Sequence, residues 1–131
     1  MNPTLMIWAD DALACTHYYL GDFGASGQYA MRGVQIWRSG GGQSHPGDVD
    51  TPVVACLWYE AVSEWHLGEI ASSQANINEA ISLAKELNNM NALALALVWA
   101  RALAYFERNP AEVDRLASDL IELSTRHDFF F

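Results

Sequence analysis

Apolar residues recur at steps of three and four along most of this chain, the spacing of helix faces rather than of strands. From Thr4 to Tyr19 they fall at Leu5, Trp8, Ala12, Cys15 and Tyr19, which predicts one face of a first helix. A second helix over about 24–38 carries Tyr29, Ala30, Gly33, Val34 and Trp37, and its Ala30 and Gly33 are small enough to let a neighbour come close. The third, from Pro52 to about Leu67, has Leu57 and Ala61 on one side and Ala55, Trp58, Val62, Trp65 and His66 on the next. Apolar matter on two sides predicts a helix sandwiched between others. Ile77, Ala80, Ile81, Ala84 and Leu87 form the stripe of a fourth helix over about 71–87. Ala92–Phe106 alternates small and large residues, but its length and its Ala and Leu content favour a helix, expected to be the most buried of all. Pro110 opens a sixth, with Val113, Leu116, Ala117, Leu120, Ile121 and Leu123 as its stripe.

The breaks between these stripes repeat. Leu20-Gly21-Asp22 and Leu67-Gly68-Glu69 share a glycine able to take the left-handed conformation that ends a helix, followed by an acid able to serve the next helix's free amides. Arg108-Asn109-Pro110 occupies the equivalent place downstream, and Asn88-Asn89 closes the fourth helix. Ser39–Pro52 is the one long irregular stretch, rich in Gly and Ser and interrupted by Pro46 and Pro52. One domain over 1–131 follows, with helical hairpins at about 4–38, 52–88 and 91–126 and a loop at 39–51.

Composition narrows the partners. The chain is 51% apolar, enough for a real core, and its formal charge is -9, with Lys85 the single lysine. That balance repels phosphate backbones and anionic bilayers, so neither nucleic acid nor a membrane is expected as a partner. Cys15 and Cys56 lie inside apolar helical patterns and are expected to be small core residues. The longest apolar run, Ala92–Ala100, stops at Arg101, well short of the roughly eighteen residues a membrane span needs. No basic leader precedes the first helix, and a cytoplasmic location is expected.

Aligning Gly21 with Gly68 and Arg108, Phe23 with Ile70 and Pro110, and Gly33 with Ala80 and Leu120 gives an arrangement that resembles the tetratricopeptide repeat. Its spacings exceed the roughly 34 residues of that family, and the family's first-helix tryptophan and tyrosine are not at their places. The stretches Val54–Gly68, Ile81–Leu87 and Leu120–Ser124 further resemble the divergent repeats behind the ATPase module of large bacterial regulators, including adenylate cyclase-like ones. The resemblance implies an all-α, right-handed stack of three antiparallel hairpins that scaffolds or senses, and a piece of a larger regulator. It also implies a concave surface built by the first helix of each hairpin, which would carry Trp8, Tyr18, Tyr19, Trp58, Val62, Trp65, His66 and Tyr105. The competing expectation is that a short, tightly curled solenoid uses these rings as its core.

Catalytic chemistry finds little support. His17 with Asp22, His66 with Glu64 or Glu69, and His127 with Asp128 are sequence neighbours without a spacing that any reaction requires. Glu60 and Glu64 share a helix face but lack histidines for a metal site, and His45, Asp48 and Asp50 lack the rest of a calcium loop. No enzyme activity, metal or cofactor is expected. The expected function is capture of a peptide or protein segment in the aromatic groove, with a homodimer covering the open ends of the stack. The alternative is a small-molecule sensor in which the 39–52 loop closes as a lid over an apolar ligand.

Overall fold

Helix ends, more than helix interiors, organise this chain. In the computed structural model, which describes residues 2–40 and 52–127, the helices are α1 (Pro3–Tyr19), α2 (Phe23–Arg38), α3 (Pro52–His66), α4 (Ile70–Glu86), α5 (Met90–Phe106) and α6 (Pro110–His127). No strand occurs among the described residues. Most of the expected 39–51 loop, with His45, Asp48 and Asp50, lies outside them, as do Asp128–Phe131.

Four of the five junctions use one device. After α1 the Gly21 amide donates to the Tyr18 carbonyl (3.0 Å) and the Asp22 amide to the His17 carbonyl (2.9 Å), with Gly21 left-handed at φ 81°. These two bonds satisfy the carbonyls that a helix C-terminus otherwise leaves open. The same pair recurs at Gly68 and Glu69, at Asn88 and Asn89, and at Arg108 and Asn109. The residue that finishes one helix then starts the next: Asp22, Asn89 and Asn109 each accept from an amide three residues on, at Ala25, Ala92 and Glu112. Glu69 is the exception, making no side-chain cap. Each turn thus spends only three non-helical residues, and Gly68, Asn88 and Arg108 fall 20 residues apart. The link between the second and third hairpins is therefore the same turn as the one inside each hairpin.

Turns this short force antiparallel neighbours, and the helices pack in sequence. α1, α3 and α5 touch in a row, whereas the backbones of α2 and α4, and of α4 and α6, stay apart. α3 lies against α1, α2, α4 and α5 and is the most buried helix; every residue from Pro52 to Glu64 is buried. This corrects the expectation that α5 would be deepest. α5 has neighbours on fewer sides, so Arg101 and Tyr105 remain exposed.

α1 turns its expected face away from the core. Ile7, Asp10 and Ala14 are its buried residues, while Leu5, Trp8 and Tyr19 are exposed. A carboxylate on the inner face broke the apolar pattern there. Asp10 is fully buried, and Arg32 from α2 closes on its Oδ1 through both Nε (2.9 Å) and Nη2, with the guanidinium also over the Tyr29 ring. Beside it the backbones come very close: a Cβ on Gly33 would stand 2.6 Å from Cys56 Sγ. A buried polar seam continues the joint, with Ser63 Oγ donating to Ser26 Oγ (3.0 Å) and Ser26 Oγ donating to the Ala14 carbonyl (2.7 Å).

Two substitutions check this account. Arg108 holds φ 56° where the matching turns carry Gly21 and Gly68, so Arg108→Gly should raise unfolding free energy by about 1 kcal/mol in a urea titration. Gly33→Ala should cost about 1–3 kcal/mol through overpacking against Cys56, whereas Gly27→Ala, whose new Cβ would meet only Ser63 Cβ at 3.7 Å, should be neutral or stabilising.

Candidate functional site

The row of α1, α3 and α5 brings its aromatic residues to one face, and the two halves of that face differ. Toward the helix N-termini the helices leave a groove of about 290 Å³. Trp8, Asp11 and Cys15 line it from α1, Trp58 and Tyr59 from α3, and Leu95 from α5. Trp8 is 40% exposed at its edge, while Trp58 and Tyr59 are buried in its wall. Burial, followed by the neighbouring Cys15, pushes the Tyr59 hydroxyl well above the usual phenol range, so it stays protonated.

Toward the C-termini the face is filled. Phe23, the first residue of α2, lies flat on His66 with ring centroids 4.1 Å apart and planes at 9°. His66 Nε2 pairs with Tyr18 Oη at 3.3 Å. Tyr18 and Tyr59 both meet Trp99 edge-on at 5.6 Å, and Phe106 packs against Trp65 (5.1 Å) and His66 (5.7 Å). Offset and edge contacts of this kind satisfy the ring quadrupoles and contribute roughly 0.5–1.5 kcal/mol each beyond burial. Desolvation by these rings lowers the His66 pKa, leaving a neutral imidazole suited to stacking on Phe23.

The residues expected on the binding face separate accordingly. Trp8 and Trp58 border the groove; Tyr18, Trp65 and His66 belong to the packed rings; Val62 is fully buried beneath them. Tyr19 is 68% exposed and meets the Tyr18 ring edge-on at 5.4 Å. Tyr105 lines a separate open cleft of about 700 Å³ with Trp65, Phe106, Arg108, Pro110 and Val113. Asp11, Tyr59, Trp99, Phe23 and Phe106 were not anticipated. On α5 the sequence signal for them was a choice of step: Leu95, Trp99 and Phe106 follow one helical face, and taking Tyr105 in place of Phe106 rotates the reading by about 100°.

On the opposite side of α3, Glu60 and Glu64 are buried facing α2 and α4. Asn76 Nδ2 donates to Glu64 Oε1, and Arg38 forks onto Glu79 at 2.9 and 2.7 Å. Desolvation first, and the Glu64 carboxylate second, push Glu60 up to about 7. No group of three His, Cys, Asp or Glu stands ready to hold a metal ion among the described residues. Among them, too, no helix is long and apolar enough to cross a membrane.

No protein-family model, curated protein or solved structure matches the chain. What the geometry defines is an all-helical domain of six helices packed in sequence as antiparallel pairs.

The raised Glu60 pKa has a signed consequence. A group held above its unfolded value of 4.5 contributes stability that is present below pH 4.5 and lost as pH rises through about 7. Glu60→Gln, which keeps the neutral form, should therefore match the parent near pH 4 and exceed its unfolding free energy by about 1–2 kcal/mol at pH 8. Urea midpoints at the two pH values read the difference; an equal gain at both would remove Glu60 as the titrating group.

Proposed function

We propose that the chain is a non-catalytic interaction module whose α1–α3–α5 groove receives a peptide or protein segment. The observation that carries this reading is the 40%-exposed Trp8 ring beside an apolar groove walled by Trp58 and Tyr59. Large rigid rings offer contact area at low entropic cost and dominate binding hot spots. Behind the groove the packed cluster of Tyr18, His66, Trp99 and Phe106 holds the wall in place, so little ordering remains to be done on binding. Polar groups in the wall are Asp11, Tyr59, Asn91 and the Cys15 thiol, suited to orienting a guest.

The resemblance to tetratricopeptide repeats supports the same surface, since in that family the first helices of the hairpins form the concave face. Small-molecule sites usually span about 300–1,000 Å³ and enclose most of their ligand. This groove is about 290 Å³ and open at the Trp8 edge. It suits one inserted side chain of a longer segment. Exposed Leu5, Leu13 and Met31 on the first hairpin are available to a second copy of the chain, in keeping with a homodimer.

Exposure separates the two tryptophans experimentally. In capture of bead-displayed random heptapeptides, Trp8→Ala should lose about tenfold in affinity with its thermal midpoint within a few degrees of the parent. Trp58→Ala should instead lose about 3 kcal/mol of stability, because it opens a cavity in the wall. Undiminished capture by folded Trp8→Ala would move the binding surface away from this groove.

A further inference from the structure

We propose that the cleft between the last turns of α3 and α5 and the start of α6 binds an amphipathic organic monocarboxylate, an aromatic or short-chain aliphatic acid, with Arg108 as the residue that recognises its charge. This cleft shares no lining residue with the α1–α3–α5 groove, so the proposal stands apart from the reading of that groove. Its volume of about 700 Å³ lies within the range usual for small-molecule sites. Trp65 from α3, Tyr105 and Phe106 from α5, and Pro110 and Val113 from α6 make most of the wall. Tyr105 is 70% and Phe106 37% exposed, so the cleft offers ring surface that a guest can take out of water.

Two independent observations single out Arg108. Its φ of 56° is a left-handed conformation costly to an L side chain, and the matching turns place Gly21, Gly68 and Asn88 there instead. Backbone strain of this kind concentrates at ligand sites. The Arg108 guanidinium also makes no ion pair among the described residues, whereas Arg32, Arg38, Arg115 and Arg126 each close on a carboxylate. A strained backbone thus holds an unpaired cation in a cleft walled by rings.

The neighbouring acids set the charge of the guest. Glu107 accepts from Gln74 (2.8 Å) and lines a different cleft, and Glu112 is held by Arg115. Asp114 is the one carboxylate in this wall, and Arg108 the one cation. A guanidinium meets a single carboxylate with two parallel, charge-assisted hydrogen bonds, which outweigh a more distant Asp114. A second negative charge on the guest would find no second cation in the wall, against Asp114 and a formal charge of -9. The apolar remainder of the guest lies against Trp65 and Phe106.

Heteronuclear NMR titration of the full chain tests this with phenylbutyrate, its neutral amide phenylbutyramide and the dianion benzylsuccinate. Phenylbutyrate should shift the Trp65 indole and the Arg108 and Val113 amides saturably below about 10 mM, and bind about fivefold or more tighter than the amide. Benzylsuccinate should bind no tighter than phenylbutyrate. Arg108→Gly relieves the strained turn and should be the more stable protein, yet its preference for acid over amide should fall to within about twofold. Arg108→Lys, which keeps the charge without the fork, should retain part of that preference. Equal affinity of acid and amide, or a preference undiminished in folded Arg108→Gly, would overturn the role of Arg108. Tighter binding of benzylsuccinate would overturn the limit to one charge, and absence of saturable shifts at the cleft residues would overturn the site itself.

Discussion

From Pro52 to Glu64 every residue of α3 is buried, and everything else in the fold follows from covering it. Val53, Val54, Leu57, Trp58 and Val62 are each at least nine-tenths buried. Removing such side chains from water contributes about 1.5–3 kcal/mol apiece, a gain that disappears if any flanking helix leaves. α1 and α2 close one flank and α4 and α5 the other, and across them Tyr18 meets Trp99 and Arg38 bonds Glu79. The same helix buries two carboxylates, Glu60 and Glu64, on its side toward α2 and α4, which the Arg38–Glu79 pair bridges. Burial there raises the proton affinity of Glu60 instead of leaving a full charge in the interior.

Short turns make that coverage possible. A junction of three residues leaves the chain no freedom to place the next helix anywhere but alongside the last, and one left-handed residue per turn is the conformational requirement. Glycine meets it at Gly21 and Gly68 and asparagine at Asn88, whereas Arg108 meets it under strain. Because successive turns lie at opposite ends of the stack, the C-termini of α1, α3 and α5 gather at one end. Tyr18, Trp65, His66 and Phe106, all in the last turn of one of these helices, are brought together by that repetition. Their packing fills the C-terminal half of the face and leaves the groove in the N-terminal half.

The groove and the carboxylate cleft show how one helix carries two unlike environments. On one side of α3 the rings of Trp58 and Tyr59 meet an edge open to solvent, with Asp11 as the charged group in the wall. On the other, Asn76 and the Arg38–Glu79 pair enclose carboxylates that water reaches poorly. The first is the groove proposed to receive a guest; the second ties α2, α3 and α4 together and makes their stability respond to pH.

Local chemistry alone determined the elements: six helices, their glycine and asparagine stops, and a doubly apolar α3 can be read from spacing because backbone propensity and helix periodicity act within a few residues. Tertiary structure decided which faces those elements turn inward. Asp10 reads as a solvent residue until Arg32, 22 positions away, arrives to neutralise it, and its burial rotates α1 so that Trp8 looks outward. Trp99 and Phe106, rather than Tyr105, face the rings of α1 and α3, and a shift of one residue along a helix turns its face by about 100°. Whether aromatic residues on parallel helices close into a core or stand apart as a groove depends on interhelical distance, which no stretch of sequence contains. Here the rings close at one end and part at the other.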